Sequence, residues 1–219
     1  MLRETVGISE RKIEIITAGV DPAKLSESKS DARRALGLGQ SDPVAVIIAR
    51  LYPEKNHRLL LSAFAEVARA VPGAKLLIAG EGAERRAIEV EIMRLELSQS
   101  AFVLGVRRDV SRLLAASDVF VLSSDREGLP IAVLETMAAS RPVVATLVGD
   151  LPRVVSEGET GMLVPAGDAR SMAGAIIELF RNPERAERMG ARARIFVVEN
   201  YSMTAMIAGH EHLYDRRQG

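Results

Sequence analysis

Short apolar runs that lack polar alternation constrain this chain more than any other feature. Residues 44–49 (Val-Ala-Val-Ile-Ile-Ala), 76–79 (Leu-Leu-Ile-Ala), 119–122 (Val-Phe-Val-Leu) and 143–146 (Val-Val-Ala-Thr) are too short for a typical helix and rich in β-branched residues. A strand with one wet face alternates in polarity, whereas a strand covered on both faces does not. These runs therefore read as the centre of a parallel sheet with helices above and below. Weaker runs at 13–16, 102–104 and 162–164 read as further strands. Helical patterns separate them at 58–70, 84–97, 110–116, 129–139, 169–181 and 183–199. This βαβ repetition predicts an α/β fold, a single Rossmann-like doubly wound parallel sheet with helices on both faces. A segment rich in Ser, Asp and Lys carries a short helix at 31–38, and a last helix at 202–215 follows Asn200-Tyr201. The expected units are a leading strand and linker at 1–42, the Rossmann-like domain at 43–200 and a C-terminal helix at 201–219.

Charge narrows the partners. Lys plus Arg equals Asp plus Glu, 29 against 29, so no global field draws the chain to nucleic acid, and any anion site has to be local. Aromatic residues make up only 4% of the chain, which leaves the core to Ala, Val, Ile, Leu and Met. The chain has no cysteine, hence no disulfide framework and no thiolate metal site. His57, His210 and His212 lack the paired spacing with acidic residues that a metal cage requires, so no metal is expected. Met1-Leu2-Arg3-Glu4-Thr5 lacks the apolar core of a signal peptide, and the expected location is cytoplasmic.

The sharpest local signal is Ser123-Ser124-Asp125-Arg126-Glu127-Gly128-Leu129-Pro130, between the end of a strand and the start of a helix. In open α/β sheets ligands bind at that edge, where the free N–H groups of a first helical turn attract anions. The helix that follows is apolar almost all round, with Glu135 as its only charge. Side chains on a helix lean toward its amino end, so Glu135 can point back to the edge where Glu127 lies. Taken alone, these residues also allow a plainer arrangement, with Glu127 as a helix cap and Glu135 paired with an arginine in the core.

Glu127 and Glu135, enclosing Gly128-Leu129-Pro130 and followed by Met137-Ala138-Ala139-Ser140-Arg141-Pro142-Val143-Val144-Ala145-Thr146, resemble the paired-glutamate motif of glycosyltransferase family 4. The resemblance spans roughly residues 10–200. It implies the donor-binding, carboxyl-terminal half of a two-domain GT-B fold. Carried onto this chain, it gives Glu127 the hydroxyls of a donor sugar, Glu135 the ribose, and the backbone at Gly128, Leu129 and Ile131 the diphosphate. Arg50-Leu51-Tyr52-Pro53-Glu54-Lys55-Asn56 resembles the family's Gly-Arg…Lys segment and offers Arg50 and Lys55 as phosphate ligands, with Ala49 and Asn56 where relatives carry glycine. Gly80-Glu81-Gly82 matches the segment that passes close to the nucleotide, and Gly105 and Val106 match the segment along the base. A plain turn explains Gly80 and Gly82 equally well, and a core strand ending in a turn does the same for Gly105 and Val106.

Arg50, Lys55 and Glu127 are thus the expected catalytic residues. The expected reaction is transfer of a hexose, with retention, from a UDP-sugar, or less readily a GDP-sugar or ADP-sugar, to a glycan or lipid, without cofactor. The resemblance further implies a partner, an amino-terminal acceptor-binding domain or a separate chain, through which any peripheral membrane contact would run. The chain alone would then bind donor without turning it over. The rival expectation is a stand-alone nucleotide-sugar-binding module without catalysis.

Overall fold

A computed structural model describes residues 13–215, so the first twelve residues of the 1–42 segment and the last four of the 201–219 segment lie outside it. Its sheet has six strands, β1 (Val44–Ile48), β2 (Lys75–Ala79), β3 (Ala101–Gly105), β4 (Val119–Leu122), β5 (Val143–Thr146) and β6 (Gly161–Val164). The order is β3-β2-β1-β4-β5-β6 and every pair is parallel, with Val46 opposite Leu77 on one side and Phe120 on the other. Strand order therefore reverses between β1 and β4. The crevice outside their carboxyl ends is where a doubly wound sheet takes its ligand.

Helices cover both faces. They are α1 (Lys29–Ala35), α2 (His57–Ala70), α3 (Arg85–Arg94), α4 (Val110–Ala116), α5 (Ile131–Ala138), α6 (Leu151–Val154), α7 (Ala169–Arg181), α8 (Pro183–Asn200) and α9 (Met203–Asp215). Successive residues of a strand point to opposite faces, and the cores follow that rule. Ala45, Ile47, Leu76, Ile78, Val119 and Val121 pack with Phe64 of α2, Ile88 of α3 and Ile176 of α7. Val44, Val46, Leu77, Phe120 and Leu122 pack with Leu113 of α4, Leu134 of α5 and Val197 of α8. Double coverage explains why these strands read as unbroken apolar runs.

Residues 13–16 depart from the expectation. They form no strand, and Ile15 is 85% exposed. Ile16 instead lies against α9 beside Gly209, while Val20 makes an isolated parallel bridge with Ser202. The chain then enters α1, whose Ala32 packs on Ala115 and Ala116 of α4. Arg33 is buried here, and its charge is matched by Asp118 at 2.8 Å. Asp118 also accepts from Lys29 Nζ at 2.6 Å and from the Val44 N–H at 2.7 Å, tying α1 to the amino end of the sheet. With Arg141 this network lines a cavity of about 240 Å³ at the sheet edge opposite the β1/β4 crevice. Its guanidinium groups already donate to protein acceptors: Arg33 to Asp118 and the Ala116 carbonyl, Arg141 to the Leu114 and Ala115 carbonyls.

Candidate functional site

Three loops leave the carboxyl ends of β1, β2 and β3 and are held together through their backbones. The Leu51 N–H donates to the Glu81 carbonyl at 2.9 Å, and the Gly80 N–H donates to the Gly105 carbonyl at 2.8 Å. A side chain at position 80 would put its Cβ 1.9 Å from the Ala49 carbonyl oxygen, and one at 82 would come within 2.3 Å of the Leu51 oxygen. Glycine is required at both positions by the approach of the neighbouring loop, whatever else passes there. Ala49, where the family resemblance expects glycine, packs its methyl against the core on the α2 face. Gly105 is buried and Val106 is 71% exposed; Val106, with Ile48, Ala49, Arg50, Gly80 and Glu81, borders a cavity of about 310 Å³.

Beyond β1 the chain turns through a short 3-10 segment, Pro53–Lys55, into α2. The turn ends at Asn56, with φ 44° and ψ 52°. Asparagine is among the few residues with a side chain that tolerate this left-handed conformation. Asn56 also caps α2, its Oδ1 accepting from the Leu59 N–H at 3.1 Å. Asparagine thus meets both demands at this position, the left-handed backbone and the helix cap.

The turn aims Lys55 across the crevice. Its Nζ lies 2.6 Å from Glu127 Oε1, and both side chains are largely buried, 15% and 7% exposed. Two further contacts join the loops, Ser123 Oγ to the Lys55 carbonyl at 2.8 Å and Asn56 Nδ2 to Asp125 at 2.9 Å. Glu127 caps no helix. The N-cap of α5 is Pro130, in an extended conformation outside the helix rather than in its first turn, so the helix begins two residues later than expected. The N–H groups of Ile131 and Ala132 have no partner within the helix, while that of Val133 donates to the Pro130 carbonyl at 3.0 Å. Gly128 and Ile131 are exposed, Leu129 packs partly on the core, and nothing lies within 4 Å of the place a Gly128 Cβ would occupy.

Glu135 is half-buried in the second turn of α5. Its carboxylate has no hydrogen-bond or ion-pair partner among the described residues, so the core-arginine alternative does not hold. Burial raises its pKa above the ordinary carboxylate value. Arg50 stands apart from the Lys55–Glu127 pair, 72% exposed, with Glu54 at 3.6 Å and the Tyr52 ring 5.1 Å away. Exposed pairs of this kind hold a side chain only weakly.

The sequence alone assigns no role to several residues at this edge. Ser124 Oγ donates to Glu127 Oε1 at 2.6 Å, and Thr146 at the end of β5 donates to the Ser124 carbonyl at 2.5 Å. Gly149, at φ 57°, lies under Glu127, where a Cβ would come within 2.0 Å of the Glu127 carbonyl oxygen. Ser124 and Gly149 could be suspected only from their place at strand ends. His57, the first residue of α2, is buried with both ring nitrogens unpartnered; burial and then the Lys55 charge push its pKa down to about 4, so it is neutral at pH 7. No group of three or more His, Asp or Glu that could hold a metal occurs among the described residues. No helix there is long and apolar enough to cross a membrane.

Comparison with known proteins places this chain in a family. The model of "Glycosyl transferases group 1" matches residues 28–196. The chain is 31% identical over 182 residues to the N-acetyl-alpha-D-glucosaminyl L-malate synthase of Bacillus anthracis, a match covering 83% of this chain and 48% of that protein. It spans about half the length of the curated relatives it matches first. Among solved structures, the sucrose-phosphate synthase of Thermosynechococcus elongatus superposes with a TM-score of 0.89 at 28% identity, over 98% of this chain and 55% of the other. The Anabaena protein HepE, solved in complex with UDP-glucose, shares the fold with a TM-score of 0.84 at 24% identity, over 92% of this chain and 57% of its own. The reversal of strand order at β1/β4 and the family match over residues 28–196 show that this chain belongs to the group 1 glycosyl transferases, with the Rossmann-like fold of their GT-B carboxyl-terminal domain.

Proposed function

We propose that the β1/β4 crevice binds a nucleoside-diphosphate sugar, and that the protein carrying this chain transfers a hexose from it, with retention, to a glycan or lipid acceptor. The observation that carries this reading is the 2.6 Å contact between Lys55 and Glu127, which joins two segments 72 residues apart at the carboxyl edge of the sheet. An ammonium has three protons, so Lys55 keeps two for a diphosphate while it holds Glu127. Arg50, loosely paired and exposed, can swing to the same phosphates, and the first-turn N–H groups at Ile131 complete a site for negative charge with the backbone of Gly128 and Leu129. In this reading Glu127 takes sugar hydroxyls, Glu135 takes the ribose hydroxyls, and the base lies along Gly105 and Val106, with Gly80 and Gly82 bordering the nucleotide.

As the glycosidic bond breaks, negative charge grows on the terminal phosphate, and Arg50 and Lys55 stabilise it without a metal or cofactor. The acceptor attacks from the face the diphosphate leaves. It is bound outside this chain, by a partner domain or chain, so this chain alone binds donor and transfers nothing. The UDP-glucose held by HepE makes uracil the first base to test. Calorimetric titration of the chain with UDP, GDP and ADP, then with UDP-glucose, UDP-N-acetylglucosamine and GDP-mannose, tests the reading. At least one of the three diphosphates should bind with a Kd below about 1 mM. Failure of all of them to bind would remove it.

A further inference from the structure

We infer that Ser124 sets the orientation of the Glu127 carboxylate and is a positioning residue for recognition of the donor sugar, an inference that rests on the sugar-contact reading of Glu127. The Glu127 side chain is 7% exposed, and its two oxygens are not equivalent. Oε1 accepts two hydrogen bonds, from Lys55 Nζ and from Ser124 Oγ, each at 2.6 Å. Oε2 has no protein partner among the described residues. A carboxylate anchored through one oxygen presents the other in a fixed direction, and Oε2 is then the acceptor offered to a hydroxyl of the sugar.

Of the two anchors, Ser124 is the one that can define direction. Lys55 ends a flexible stem with a rotating ammonium, so it can follow the carboxylate through a turn about its last torsion. It also has the diphosphate to serve. Ser124 is fully buried, and its backbone is held in turn, because the equally buried Thr146 at the end of β5 donates to its carbonyl at 2.5 Å. The line of support runs from β5 through Thr146 to Ser124 and on to Oε1. A side chain that already lost its freedom on folding orients its partner at little further entropic cost. Supports of this kind, behind a group that touches the ligand, fix geometry that the touching group cannot fix itself.

A double-mutant cycle separates positioning from a local structural role. Ser124→Ala, Glu127→Ala and the double variant are titrated with UDP and with whichever of the sugar donors above the wild-type chain binds best. UDP lacks the sugar that Glu127 takes in this reading, and its diphosphate meets Lys55, so donor affinity is read relative to UDP affinity in each variant. Ser124→Ala should bind UDP as the wild type does, both single variants should lose on the order of tenfold in affinity for the sugar donor relative to UDP, and the double variant should match Glu127→Ala alone. Losses that add, or a loss of UDP affinity in Ser124→Ala, would make Ser124 a structural residue and overturn the inference. A wild-type response in Ser124→Ala beside a loss in Glu127→Ala would overturn it too and leave the role of Glu127 standing. If Glu127→Ala keeps its sugar affinity, the reading of Glu127 falls and the inference with it.

Discussion

Replacing Glu135 with alanine is expected to weaken UDP binding on the order of tenfold or more, while Glu127→Ala leaves UDP binding nearly unchanged. The difference follows from the state of the two carboxylates without ligand. Glu127 is already satisfied on one oxygen by Lys55 and Ser124. Glu135 is half-buried with nothing to bind, and burial holds its pKa up. The free protein therefore already bears the desolvation cost at Glu135, and hydrogen bonds from ribose hydroxyls to its charged form recover it. Such bonds to a charged group contribute about 1.5 to 3 kcal/mol, and about 1.4 kcal/mol is tenfold in affinity. The ribose favours the deprotonated carboxylate, so UDP affinity should fall as pH drops through the raised Glu135 pKa, and that part of the pH dependence should vanish in Glu135→Ala. Calorimetry with UDP and 2′,3′-dideoxy-UDP checks the assignment. Equal affinity of the wild type for the two would mean that the ribose role is wrong.

The second large effect concerns rate. In a two-domain enzyme carrying this chain, Arg50→Ala and Lys55→Ala should each lower kcat by roughly a hundredfold or more, with less than about tenfold weakening of donor binding. The bound diphosphate is already negative, so some affinity is lost, but the charge that develops on the leaving phosphate exists only as the bond breaks. Arg50 should contribute despite its exposure, because a weak pair with Glu54 leaves its guanidinium free to turn toward phosphate. Lysine at position 50 should restore only part of the rate, since an ammonium lacks the planar fork. Steady-state kinetics beside direct donor titration decides the matter. Unchanged kcat in both alanine variants would return Arg50 and Lys55 to ordinary loop residues.

The central strands were legible because burial on both faces leaves an unmistakable run, and β1, β4 and β5 lie within a residue of where their apolar runs place them. The same signal misleads at 13–16. Three isoleucines there resemble a strand, but the segment packs at the surface along α9 and no neighbouring strand offers it hydrogen bonds. Helix α6, Leu151–Val154, leaves no signal in the sequence because four residues cannot show a helical period. At the site, the residue types could be picked from spacing and resemblance, but their meeting could not. Lys55 reaches Glu127 only because β4 lies beside β1 rather than beside β3, a matter of strand order that no local pattern encodes. The roles of Ser124 and Gly149 were not legible for the same reason, since they act on neighbours brought close by the fold.

The nucleotide sugar is expected to occupy the β1/β4 crevice. The most direct measurement is an NMR titration of the ¹⁵N-labelled chain with UDP, read residue by residue. The expected result is movement of the amide signals of Gly80, Gly105, Gly128 and Ile131, with those of Arg33, Asp118 and Arg141 at the opposite edge of the sheet unmoved. Movement confined to that opposite edge, or none in the crevice at saturating UDP, would contradict it.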